Sequence, residues 1–117
     1  NYIQYLKRNE IKVFVRSIYL QGMILKNWNK ISSKFPSIKS KIKFLETKYG
    51  INSKRKKIHV TLNEIRKNEN IKGIIFSVDN RKDLINFLNI FNKKINFKLK
   101  LPQIINIDEK EIDPRKW

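Results

Sequence analysis

Apolar residues fall along this chain in two alternating rhythms. Residues 1–9 read as the last part of a helix entered partway, with apolar residues spaced two and three apart in Asn1-Tyr2-Ile3-Gln4-Tyr5-Leu6-Lys7-Arg8. Ile11-Lys12-Val13-Phe14-Val15-Arg16-Ser17 then switches to a β-branched and aromatic run that reads as a strand. Tyr19 to Leu25 is apolar but broken by Gly22, and a polar stretch follows to Pro36. So long a loop in a compact domain points to a functional segment.

Pro36-Ser37 marks a helix start, and Ile38, Ile42, Leu45 and Tyr49 keep helical spacing until Gly50, where a left-handed terminator belongs. Ser53 is placed to cap a second helix carrying Ile58, Leu62 and Ile65 and ending near Asn68. Ile71 to Val78 is almost continuously apolar, the signature of a buried parallel strand. Asn80 with Asp83 three residues on predicts the start of a further helix, striped by Leu84, Phe87, Leu88 and Phe91. Residues 97–102 alternate like a short edge strand or extended tail, and residues 108–112 have the makings of one helical turn. The order strand, loop, two helices, strand, helix predicts an α/β fold with parallel strands, because parallel neighbours need helical crossovers. The chain reads as one unit over 1–117, with no internal repeat and no dividing linker.

Composition changes this picture little. Lys and Arg number 27 against 10 Asp and Glu, a net charge of +17. That excess raises a small basic nucleic-acid-binding domain as the alternative reading. Against it, Ile, Asn and Lys number 20, 14 and 21 with no Ala, the mark of AT-rich coding DNA, and Lys exceeds Arg by 21 to 6, whereas base readout favours the Arg fork. The absence of Cys removes disulfides, thiolate catalysis and Cys-ligated zinc, and suits a reducing cytoplasm. No apolar run reaches the roughly 20 residues of a membrane span.

Chemistry-bearing residues are sparse. His59, alone of its kind, reads as a surface or half-buried structural residue in mid-helix. Asp79, Asp83, Asp108, Glu109 and Glu111 fall at helix starts, where capping is the default role. No Walker loop, GxGxxG, GxSxG or HExxH occurs. In parallel α/β folds ligands gather at the C-terminal ends of the strands, here residues 17–22 and 77–81. The second end feeds a helix N-terminus, with Arg81 and Lys82 beside it, as a phosphate would require.

Val13-Phe14-Val15-Arg16-Ser17-Ile18-Tyr19-Leu20-Gln21-Gly22-Met23-Ile24-Leu25 resembles the seventh strand and following loop of bacterial aldo/keto reductases. Phe44 to Asn52 looks like the helix that ends in that family's Gly, aliphatic, Ser/Asn turn. Gly73 to Leu84 is similar to the eighth strand and its phosphate loop, and Asp113-Pro114-Arg115-Lys116-Trp117 to the tail of some members. The resemblance implies the last two strand–helix units of a (β/α)8 TIM barrel over 1–93, with a C-terminal tail over 94–117. About 250 residues make a complete barrel, so the earlier units would be supplied elsewhere. It also implies a nicotinamide cofactor, NADP or NAD, and hydride transfer to or from a small carbonyl or alcohol substrate.

On this resemblance Ser17, Leu20, Gln21 and Gly22 would lie along the nicotinamide and pyrophosphate, and Ser77, Val78, Asn80, Arg81 and Asp83 around the adenosine phosphate. Three positions depart from the family: Arg16 replaces a stacking Tyr, Asp83 an Arg or Gln at the 2′-phosphate, and Phe87 an adenine-contacting Asn. The family's catalytic Asp, Tyr, Lys and His lie in earlier strands and match nothing here. The parent is therefore expected to be an oxidoreductase, and this chain by itself inactive. A third expectation from a different class is a partner-binding remnant whose open strand edges pair with another chain.

Overall fold

The structure, a computed structural model, describes residues 2–93 and 107–117. The expected edge strand at 97–102 lies outside the described residues. Helix α1 (Tyr2–Arg8) leads into strand β1 (Val13–Arg16). Two short 3-10 turns, Met23–Leu25 and Trp28–Lys30, precede helices α2 (Pro36–Tyr49) and α3 (Lys54–Arg66). Strand β2 (Ile71–Ile75), helix α4 (Arg81–Asn92), the single turn α5 (Glu109–Ile112) and a 3-10 turn at Pro114–Lys116 follow. None of the helices is long and apolar enough to cross a membrane, among the described residues.

The two strands pair in parallel, with Val13 opposite Ile71 and, after a register shift, Phe14, Val15 and Arg16 opposite Gly73, Ile74 and Ile75. The fold is thus mixed α/β, with two helices in the connection between parallel neighbours. Local chemistry explains the helix boundaries. Pro36 at the first position of α2 presets φ and has no N–H to satisfy. Gly50 ends that helix at φ 62°, a left-handed conformation that costs glycine nothing, and both its N–H and that of Ile51 are donated to Leu45 O. Ser53 Oγ accepts from Lys56 N at 3.2 Å to open α3. Asn80 Oδ1 accepts from Asp83 N at 2.9 Å, the N-cap expected from the sequence, and Asn80 Nδ2 also donates to Asp83 Oδ2 at 3.1 Å.

The chain divides into two compact, interleaved units. The first comprises residues up to Ile18 and from Ile58 to Ile95; the second comprises Tyr19 to Lys57 and the C-terminal segment. In the second unit Met23, Ile31, Ile38 and Ile42 form a buried core, flanked by Leu20, Ile24, Trp28, Phe35, Leu45 and Ile107. The long loop is therefore half of a hydrophobic core, each buried aliphatic side chain contributing about 1.5–3 kcal/mol.

In the first unit the strand expectation needs correction. Rather than a buried run from Ile71 to Val78, β2 has five residues, and Lys72 and Ile75 are exposed. Phe14 on β1 and Ile75 on β2 are 57% and 59% exposed. Among the described residues the sheet has two strands, too narrow a surface to draw full cover over both faces as wider parallel sheets have. For the same reason α4 buries Phe87 and Ile90 but leaves Leu84, Leu88 and Phe91 partly in solvent.

Gly73 on β2 is paired with Phe14 on β1, whose ring lies over it. A Cβ there would fall 2.7 Å from Phe14 Cδ1 and Cε1. Gly73→Ala is expected to destabilise the sheet by about 1–2 kcal/mol through overpacking. Phe14→Ala should relieve most of that cost in the double variant. A thermodynamic cycle by urea denaturation, monitored by circular dichroism, checks it; additive effects would remove the Phe14 ring as the cause.

Candidate functional site

The C-terminal end of β1 runs into an unusual backbone. Ser17, Leu20 and Gln21 have φ of 56°, 45° and 54°, followed by Gly22 at 81°. Only Gly22 adopts this region without penalty; each non-glycine residue there costs on the order of 1–2 kcal/mol. The strain is held in place from both sides. Leu20 packs against the Met23 core, and the turn is closed by Met23 N donating to Leu20 O at 3.0 Å and Ile24 N to Tyr19 O at 3.3 Å. Tyr19 beside it is pushed up to about 12 by burial, which disfavours the phenolate.

The end of β2 is simpler. Ser77, Val78, Asn80 and Arg81 are exposed and Asp83 is half-buried. With Asp83 N bonded to Asn80 Oδ1 and Leu84 N to Asn80 O, the Arg81 and Lys82 amides are the first-turn donors that capping leaves over. Their side chains add two cations, and the Asp83 carboxylate opposes them at the same helix start.

The residues expected from the sequence are thus grouped by unit. Ser17 and Ser77, Val78, Asn80, Arg81 and Asp83 belong to the first, and Leu20, Gln21 and Gly22 to the second. His59, expected at or near the surface, is 3% exposed in the middle of α3. No group of three or more His, Asp or Glu is placed to hold a metal among the described residues.

Sequence reasoning missed three features of the second unit. Glu111, assigned to capping its own turn, is buried and spans to α2, its Oε1 accepting from Ser37 N at 3.0 Å and its Oε2 from Ile38 N at 2.9 Å. Lys57, one cation in a basic run, is buried with Glu46 at 2.7 Å. A cavity of about 240 Å³ opens beside the strained turn, lined among others by Leu20, Gln21, Lys26, Lys30, Phe35 and Trp117. The Gly22 break and the apolar residues of 19–25 signalled an ordered loop; nothing in local spacing signalled what it encloses.

No protein-family model matches the chain, and comparison with curated proteins and with solved structures gives no significant match.

Proposed function

We propose that this chain is the closing part of an NAD(P)H-dependent aldo/keto reductase barrel, contributing cofactor-binding surface without the residues that do the chemistry. The observation that carries the reading is the left-handed run from Leu20 to Gly22 at the C-terminal end of a parallel strand. Backbone strain of this kind persists where a ligand site gives it a use, and parallel α/β folds bind ligands at that end of their strands. Uncovered Phe14 and Ile75 support the barrel half of the proposal, since further strands would shield them. Residues 1–93 supply barrel elements and 94–117 the tail.

In this reading Ser17, Leu20, Gln21 and Gly22 line the nicotinamide and pyrophosphate, and Ser77, Val78, Asn80, Arg81 and Asp83 surround the adenosine phosphate. Free N–H groups of Arg81 and Lys82 and their two side chains attract the phosphate. Asp83 opposes a 2′-phosphate, so the site favours NAD over NADP relative to the family pattern. The substrate is a small carbonyl or alcohol, and the catalytic set belongs to the preceding barrel strands.

Titration of the chain with NADH and NADPH, followed by backbone amide resonances, tests the proposal. Saturable shifts are expected at Leu20–Gly22 and Ser77–Asp83, and their absence sinks it. Asp83→Asn should strengthen NADPH binding about fivefold, the size of removing one surface like-charge contact of about 1 kcal/mol. Carbonyl-dependent NADPH consumption by the chain alone would contradict the claim that it lacks the catalytic residues.

A further inference from the structure

The cavity of the second unit has a chemistry of its own. Its floor is apolar, made by buried Met23 and Ile31, and one wall is aromatic, with the Phe35 and Trp117 rings edge to face at 5.0 Å. Trp117 is fixed there by its indole N–H, which donates to Glu111 O at 3.0 Å. Lys26 and Lys30, both exposed, stand on the lining, and neither is paired with a carboxylate among the described residues.

That imbalance follows from how the unit uses its acids. Glu46 is committed to Lys57 and to the Trp28 amide, and Glu111 to the amides of Ser37 and Ile38. Glu46 is the only carboxylate between residues 26 and 57, and it is turned to Lys57 rather than to either pocket lysine. A hollow with an aliphatic floor, an aromatic wall and two lysines on its lining is complementary to a molecule with a ring at one end and a negative charge at the other. At about 240 Å³ it falls below the roughly 300–1,000 Å³ of pockets for drug-sized ligands. One ring with a short acidic arm fits; a dinucleotide does not.

We propose that this cavity binds a small aromatic carboxylic acid, with its ring against Phe35 and Trp117 and its carboxylate between Lys26 and Lys30. The site shares Leu20 and Gln21 with the cofactor reading but does not rest on it.

The probe is 3-phenylpropionate, with uncharged 3-phenylpropionamide as its isostere, titrated into the full chain while the indole N–H resonances of Trp117 and Trp28 are followed. Saturable movement of Trp117 is expected, with Trp28 nearly still. The amide should bind at least fivefold more weakly. Lys26→Gln/Lys30→Gln should lose the acid to the same extent yet unfold at the same temperature as the parent, because both side chains are exposed. An unsaturable response, equal binding of acid and amide, or full binding by the double lysine variant overturns the proposal. Binding of the acid by a chain that ignores NADH and NADPH keeps this site and sinks the cofactor reading.

Discussion

Glu111→Ala should lower the stability of the second unit by about 2–4 kcal/mol, the loss of two hydrogen bonds to a charged acceptor together with the exposure of two stranded donors. The size follows from how α2 begins. Phe35, the residue before the helix, provides no side-chain cap, and Pro36 has no N–H to donate. The next two donors, Ser37 N and Ile38 N, are both satisfied by the one buried carboxylate of Glu111. Its negative charge also sits at the positive end of the helix dipole. The same residue positions Trp117 through its backbone carbonyl, and Asp108 N donates to Ser37 Oγ at 3.2 Å beside it. Urea denaturation monitored by tryptophan fluorescence reads the effect, since both tryptophans lie in this unit. Glu111→Gln should recover less than half, because its amide presents one oxygen where the carboxylate presents two. Asp108→Ala, which removes an exposed cap from α5 only, should cost well under half as much. Equal losses for Glu111→Ala and Asp108→Ala would contradict this account.

The elements that could be read from the sequence are those whose signals are local. Pro36 and Gly50 bound α2, Ser53 opens α3, and Asn80 with Asp83 opens α4, each through bonds spanning four residues or fewer, apart from the Leu45 closure at Gly50. Segment 19–35 was legible only as a loop, because two 3-10 turns separated by extended residues carry no period that a hydrophobic pattern can show. Glu111 reaches its partners across 73 and 74 residues, a distance at which neighbouring Asp108 and Glu109 made ordinary capping the natural expectation.

Legibility of the candidate site divides in the same way. Gly22 marked a turn, but nothing marks Leu20 and Gln21 as left-handed, since both residue types normally avoid that region and adopt it here under constraint from the packed core. The cap at Asn80 is legible because its bond to Asp83 N spans only three residues. Burial of His59 was missed because its neighbours Ile58 and Val60 point to no single helical face.

Lys57 gives the second large effect. Its ammonium and the Glu46 carboxylate are 2.7 Å apart with side chains 3% and 10% exposed, so both charges have been taken out of water. Lys57 Nζ also donates to Lys26 O at 2.5 Å, and Glu46 Oε1 accepts from Trp28 N at 3.0 Å. The pair therefore joins the start of α3, the last turn of α2 and the loop before them. Removing one member should cost about 3–5 kcal/mol, because the other is left charged and buried. Lys57→Met and Glu46→Leu are each expected to fall in that range. The double variant should cost clearly less than their sum, since neither charge is then stranded. It should not return to the parent value, because Lys26 O and Trp28 N lose their partners at about 1–3 kcal/mol each. A cycle of thermal and urea unfolding in all four proteins measures the coupling. Strict additivity would mean that the two charges are solvated well enough to ignore one another, and would overturn the account of a desolvated pair.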